Sequence, residues 1–223
     1  MKALAIDCAV SRLVIAAKNE DKTCTCVYNI GMKQSEILVP SIDYVLSKAD
    51  LQPADLDYTT LTVGPGSFTG LRLGISALKA LNLAYGTPLY GIPTLKAYEY
   101  TFLDFGLPVV TGIDANKDKF FARIIDGNQK EILKDDDYEI DQITDCLKTF
   151  DTIIAAGPDC HKLKAAINSK LPSLKILTAN TSQATTDALF ELAEKEKTAG
   201  TPPMQDYDGP VYLRASEAER KLS

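Results

Sequence analysis

Histidine is nearly absent from this sequence. His161 is the only one in 223 residues, and no His-x-x-x-His pair occurs anywhere. A lone imidazole cannot assemble a hydrolytic metal centre. His161 therefore reads as a partly exposed helix-start residue, and metallopeptidase chemistry has no ligands. The five cysteines are odd in number and lack paired metal spacing, which suits a reducing cytosol. Cys24 and Cys26 share one face of a strand and read as a buried thiol pair. No apolar run approaches the roughly 18 residues of a membrane helix. Met1-Lys2 leads straight into a short strand rather than a signal sequence, so a cytoplasmic protein is expected. Positive charge is short as well: 24 Lys and Arg against 30 Asp and Glu leave −6. A broad nucleic-acid surface needs clustered cations, so if the protein serves a nucleic-acid pathway, a partner holds the nucleic acid. With 45% hydrophobic and 24% charged residues, the composition is otherwise that of an ordinary globular protein.

What the chain does have is concentrated in Gly64-Pro65-Gly66-Ser67-Phe68-Thr69-Gly70. This loop closes an apolar, β-branched run, Tyr58 to Val63, and opens onto helical apolar spacing from Leu71 to Tyr85. Strand, glycine loop and helix N-terminus in that order can converge backbone N–H groups on an anion. Gly64, Gly66, Ser67, Thr69 and Gly70 are thus candidate anion- or nucleotide-binding residues. The loop is not a Walker A motif, since no Gly-Lys-Ser/Thr follows. Its glycine spacing misses the dinucleotide fingerprint, and Ser67 does not sit in a nucleophile elbow. A tight turn whose glycines only permit close packing fits the same residues.

Hydrophobic periodicity divides the chain into two halves with one order of elements. The first, 1–105, reads as three strands (Ala3–Ile6, Leu13–Ala17, Thr23–Asn29), helix (Ser35–Ala49), strand (Tyr58–Val63), helix (Leu71–Tyr85), strand (Leu89–Gly91) and helix (Leu95–Phe102). The second, 106–223, repeats strands Val109–Ile113, Phe120–Ile125 and Glu131–Tyr138, then helix Asp141–Phe150 and strand Thr152–Ala156. Helix Cys160–Asn168, strand Leu174–Leu177 and helix Thr185–Lys197 complete it. A meander of three strands followed by parallel strands returning through helices, made twice, predicts an α/β protein of the actin-like, ribonuclease H-like (ASKHA) class with duplicated βββαβα halves. That fold sets working acids after the first strand of each half, here Asp7 and Asp114. In an active member such carboxylates orient a metal or nucleophile near phosphates; the alternative is that each caps its own turn. Neither Cys8-Ala9-Val10-Ser11 nor Asn116-Lys117-Asp118-Lys119 is a glycine-rich phosphate hairpin. An ATP-dependent kinase of this superfamily is disfavoured accordingly.

Four segments together resemble the TsaB family: Leu4-Ala5-Ile6-Asp7, Gly64 to Gly70 with Leu71-Arg72-Leu73-Gly74, Ile113-Asp114-Ala115, and Pro210-Val211-Tyr212-Leu213-Arg214. The resemblance covers essentially the whole chain. It implies a non-catalytic accessory subunit of tRNA threonylcarbamoyladenosine (t6A) synthesis that binds and activates TsaD. TsaE joins that assembly and TsaC supplies the activated intermediate. It further implies no cofactor of the chain's own, a metal held in TsaD, ATP or ADP at the partner interface, and tRNA contacted only through the complex. The superfamily's older glycoprotease label makes a metallopeptidase the alternative. Where family members keep a histidine near the start of the first long helix, this chain has Gln34; Asn116 and Lys119 replace a usual arginine and glutamate.

The helix from Leu71 has a narrow polar stripe, with Leu73, Ala77, Ala80 and Ala84 forming a small-residue face apart from Leu71, Ile75 and Leu78. Such a helix must be covered on most of its circumference. With the helix from Ser35, where Pro40 marks either a kink or the true start, it is expected to build an interface with TsaD, or with a second copy when TsaD is absent. Leu38, Ile42, Val45, Arg72, Leu73, Gly74, Ala77 and Ala80 are the expected contacts. Thr198 to Gly209 reads as an exposed connector, followed by a charged tail, Glu217 to Lys221.

Overall fold

The computed structural model describes residues 1–31, 33–116, 118–179 and 184–213. Sixteen regular elements follow in the expected order. The strands are β1 (Lys2–Asp7), β2 (Arg12–Asn19), β3 (Lys22–Asn29), β4 (Tyr58–Thr62), β5 (Leu89–Ile92), β6 (Val109–Asp114), β7 (Lys119–Ile125), β8 (Glu131–Glu139), β9 (Thr152–Ala156) and β10 (Lys175–Ala179). The helices are α1 (Gln34–Lys48), α2 (Phe68–Tyr85), α3 (Thr94–Tyr100), α4 (Ile140–Leu147), α5 (Cys160–Lys170) and α6 (Ala184–Thr198).

One sheet has the order β3-β2-β1-β4-β5 and the other β10-β9-β6-β7-β8, which is the same order read from the opposite edge. In each, the first three strands run antiparallel and the last two join in parallel. This is the duplicated actin-like fold. β1 is apolar almost without interruption, Ala3 to Ile6, because both faces of its sheet are covered. Leu4, Ile6, Leu13 and Ile15 pack with Leu38, Val45, Ile75 and Leu78 of α1 and α2. The other face meets α6, which packs on β1, β2, β4 and β5. The Tyr58 hydroxyl donates to Glu194 at 2.9 Å, and Lys18 pairs with the same carboxylate at 3.0 Å.

The placement of α6 differs from the sequence division at residue 105. The chain forms two compact units, and the first comprises 1–97 together with α6 and the segment running to Val211. The apolar residues of α6, Ala188, Leu189, Leu192 and Ala193, are buried, and sequence order does not reveal which sheet buries them. The second unit has its own core of Phe120, Ile124, Ile143, Ile153, Leu163 and Ile167. Its Arg123 joins Glu99, which is 4% exposed, at 2.9 Å and also meets Glu131 and Asp135.

Two helix boundaries carry information. Pro40 sits inside α1 on its exposed side, so the helix runs through it from Gln34 rather than starting there. α2 begins at Phe68, three residues before the apolar repeat, because Ser67 caps it: the Ser67 hydroxyl accepts from the Gly70 N–H at 3.3 Å.

Candidate functional site

The site grows from the glycine loop between β4 and α2, and four of the backbone donors there are engaged inside the protein. Gly64 N–H donates to Thr94 Oγ1 at 3.0 Å, and Ser67 N–H to the Ala9 carbonyl at 2.6 Å. Gly70 N–H goes to Ser67 Oγ, and Leu71 N–H to the Ser67 carbonyl at 2.9 Å. The glycines are needed because other backbone lies against them. A Cβ at Gly66 would enter the Ala9 carbonyl oxygen, and one at Gly70 the Cys8 carbonyl oxygen. At Gly74 it would stand 2.5 Å from Cys8 Sγ. Cys8 and Ala9 thus pack directly against the loop and the first turns of α2. The packing reading accounts for the glycines at 66 and 70, where other backbone lies against them; Thr69 is exposed at the rim.

Cys8 is the pivot of this packing. Its thiol donates to the Gly70 carbonyl at 2.9 Å. Burial foremost, then the adjacent Asp7 charge, pushes the Cys8 thiol up to about 12. Asp7 itself is fully buried; its Oδ1 accepts from the Ala9 N–H at 3.1 Å and from the Thr62 hydroxyl at 3.0 Å. Asp114, in the second unit, repeats the local pattern. Its Oδ1 accepts from Asn116 N–H at 3.0 Å, its own N–H donates to Asp159, and Lys162 pairs with its other oxygen. Each acid caps its own turn.

Beside the loop lies a cavity of about 160 Å³ lined by Val10, Ser11, Gln34, Ser35, Thr69 and Leu73, among others. Gln34 is buried and donates from Nε2 to the Val10 carbonyl at 2.6 Å. In the sequence Gln34 stands out only as a departure from the family pattern. The amide now ties α1 to the β1–β2 turn.

The expected interface residues divide. Leu38, Ile42 and Val45 belong to the core beneath α1, and Gly74 is buried against Cys8, so none of the four can face a partner. Arg72 and Ala80 are exposed, and Leu73 and Ala77 half-buried. The outward surface instead carries Val39 and Tyr44 from α1 and Phe68, Leu83 and Tyr85 from α2, with Leu83 89% exposed. The Arg72 guanidinium lies 3.8 Å above the Phe68 ring. Helical periodicity finds two apolar faces on α2 without saying which one the sheet takes. His161 is exposed at the start of α5, and no group of three His, Cys, Asp or Glu suited to a metal exists among the described residues.

The C-terminal motif meets the same loop. Val211 N–H donates to the Val63 carbonyl at 2.7 Å, and a Cβ at Gly64 would enter the Val211 carbonyl oxygen. Arg214 of that motif, Lys117 of the second hairpin and the tail Glu217 to Lys221 lie outside the described residues.

Comparison with known proteins gives concordant results. The family described as TsaD, tRNA N6-adenosine threonylcarbamoyltransferase, matches residues 31–200. The tRNA threonylcarbamoyladenosine biosynthesis protein TsaB of Bacillus subtilis (strain 168) is 25% identical over 229 aligned positions, covering 99% of this chain and 97% of that protein. TsaB of Buchnera aphidicola subsp. Schizaphis graminum (strain Sg) is 32% identical over 93 residues, 42% of this chain and 44% of that one. The solved structure of YeaZ from Pseudomonas aeruginosa superposes with a TM-score of 0.78 at 19% identity, covering 95% of this chain and 99% of that one. It shares the fold.

Proposed function

The chain belongs to the TsaD family, as one of its TsaB members, and from that premise we infer that it is the accessory subunit of tRNA threonylcarbamoyladenosine biosynthesis. The observation that carries this reading is the end-to-end match to the Bacillus subtilis protein of that name, 99% of one chain against 97% of the other. A shared loop could be borrowed by an unrelated function; a similarity spanning both units is harder to explain so.

In this reading the chain works as a scaffold that binds TsaD and holds it in an active arrangement, with TsaE completing the assembly and TsaC feeding it. Nucleotide, where it acts, is held with the partner, the metal belongs to TsaD, and tRNA is reached only through the complex. Support for a non-catalytic role comes from the glycine loop. Its N–H groups at Gly64, Ser67 and Gly70 are engaged by Thr94, Ala9 and Ser67, leaving them unable to stabilise developing charge. Docking on TsaD falls to the outward faces of α1 and α2, and a second copy covers the same surface when TsaD is absent. The net charge of −6 suits a subunit that leaves tRNA to its partner.

The test is t6A formation on tRNA by TsaC, TsaD and TsaE with and without this chain. Strong dependence that survives Asp7→Asn and Asp114→Ala establishes the scaffold; the asparagine keeps an acceptor for Thr62 and Ala9. A yield indifferent to the chain overturns the reading. Dependence that vanishes in folded Asp7→Asn or Asp114→Ala protein would return a catalytic acid to this subunit.

A further inference from the structure

The two cysteines of β3 stand where one small ion can join them. Cys24 and Cys26 lie on the edge strand of their sheet, opposite Ala17 and Ile15 of β2. Residues two apart on a strand point the same way, and both thiols are half-buried against the core that also receives α1. The two side chains interact. Burial foremost, then the charge of Cys26 and a hydrogen bond with its thiol, holds the Cys24 thiol above its ordinary value. Lys48 of α1 and Lys22 act in the opposite direction, their charges favouring the thiolate.

Three chemistries use paired thiols, and geometry separates them. A disulfide needs Cβ atoms about 3.5–4.5 Å apart, whereas same-face neighbours on an extended strand are roughly 6.5–7 Å apart. Zinc takes four ligands in a tetrahedron, and no group of three His, Cys, Asp or Glu stands together among the described residues. Two-coordinate binding is what the pair can offer. An ion with metal–sulfur bonds of about 2.3 Å lets two sulfurs stay up to about 4.6 Å apart, a separation suited to side chains that already share a hydrogen bond.

The donor set then selects the ion. Soft thiolates favour Cu(I), while hard cations prefer oxygen. A monovalent ion on two thiolates leaves one net negative charge, and the ammonium groups of Lys22 and Lys48 offset it; Lys22 also pairs with Asp50. The apolar core beneath limits access of water to the bound ion.

We propose that Cys24 and Cys26 form a two-sulfur site for a soft monovalent cation, Cu(I), on the edge strand of the first unit. Binding replaces two S–H bonds with two copper–sulfur bonds and releases two protons. Copper enters and stays as Cu(I), so no oxidant or reductant is consumed. The site lies within one unit and does not rest on the accessory-subunit reading.

The experiment is anaerobic titration of the full chain with Cu(I) bicinchoninate, whose colour reports the copper that the protein withdraws. Cys24→Ser, Cys26→Ser and Cys146→Ser are titrated beside the wild type, with melting temperatures taken to show that each is folded. Cys24→Ala and Cys26→Ala repeat the test should serine be poorly tolerated against the core. X-ray absorption by the bound copper counts its sulfur neighbours. One equivalent of Cu(I) held by two sulfurs is expected, with affinity lowered a hundredfold or more in either strand variant and unchanged in Cys146→Ser. Wild-type affinity in the folded strand variants overturns the proposal. So does loss of binding in Cys146→Ser, or a copper with three or more sulfur neighbours, since either brings in thiols from outside the pair. Failure of the wild type to withdraw copper from bicinchoninate shows two independent thiols and overturns it too.

Discussion

Gly64 and Val211 are locked together backbone to backbone: the Val211 carbonyl oxygen occupies the space a side chain at Gly64 would fill, while Val211 N–H bonds the carbonyl of Val63. The glycine loop and the C-terminal motif, 147 residues apart in the chain, are therefore one structural unit. Gly64 also has φ of +124°, a region that side-chain-bearing residues rarely enter. Gly64→Ala faces both obstacles, and a destabilisation of about 2–4 kcal/mol is expected. Urea unfolding measures it. A loss below about 0.5 kcal/mol would mean that the segment at Val211 moves aside freely and that the contact holds nothing.

The approach of that segment is guided by Lys79. Its ammonium donates to the carbonyls of Gln205 at 3.0 Å, Asp206 at 2.6 Å and Asp208 at 2.6 Å, satisfying all three of its protons. The Met204 N–H pairs with the Leu89 carbonyl at 2.8 Å. Lys79→Met keeps the aliphatic stem and removes the donors, at a cost of about 1–2 kcal/mol for charged hydrogen bonds at a half-exposed site. The sharper expectation is local. Hydrogen exchange at Met204 and Val211 should accelerate while that of β1 stays unchanged, and acceleration across the whole sheet would refute the localised role.

Much of the fold was legible in the sequence, and for a physical reason. Strands such as Thr152–Ala156 and helices such as Cys160–Lys170 bury a face, and the apolar period records it. What stayed hidden was what an element packs against. The repeat in α6 announces a buried stripe but not the sheet that buries it. In α1 it marks Leu38, Ile42 and Val45 as apolar without distinguishing an intramolecular core from a partner, and they proved to be core. The site divided likewise. Its glycines were found at once, yet their use depends on the carbonyls of Cys8, Ala9 and Val211, and backbone atoms leave no trace in residue type. The motif at Pro210 had been visible without a role; Gly64 supplies one.

Cys8 makes stability depend on alkaline pH. Its thiol is raised from 9.0 to about 12 by burial and by the Asp7 charge. Above pH 9 the unfolded chain releases this proton while the folded chain keeps it, so stability falls as pH rises through the window from 9 to 12. The slope attributable to one such group is about 1.4 kcal/mol per pH unit. Urea unfolding at pH 8.5 to 10.5 should show wild type losing stability more steeply than Cys8→Ala by that amount, on top of a constant offset for the lost packing. Equal slopes would show that the thiol ionises in the fold as it does outside it. With a thiol-reactive dye at pH 8, Cys8 and Cys160 should resist modification in the native state, while the half-buried Cys24, Cys26 and Cys146 react.

The division of α1 and α2 into inward and outward residues gives two substitutions with opposite signatures. Leu83 is 89% exposed, so Leu83→Asp should leave the isolated chain's stability within about 0.5 kcal/mol. On a face that docks TsaD it removes apolar contact and buries a charge, and affinity should drop tenfold or more, about 1.4 kcal/mol. Leu38 is fully buried under α1. Leu38→Ala should cost about 2–5 kcal/mol of folding stability while the folded fraction binds TsaD normally. Paired thermal unfolding and titration separate the two. If Leu38→Ala abolished binding at full stability, the inward assignment of that residue would be wrong. If Leu83→Asp bound as tightly as wild type, the exposed end of α2 would lie outside the interface, and docking would contract toward Phe68 and Arg72 at its other end.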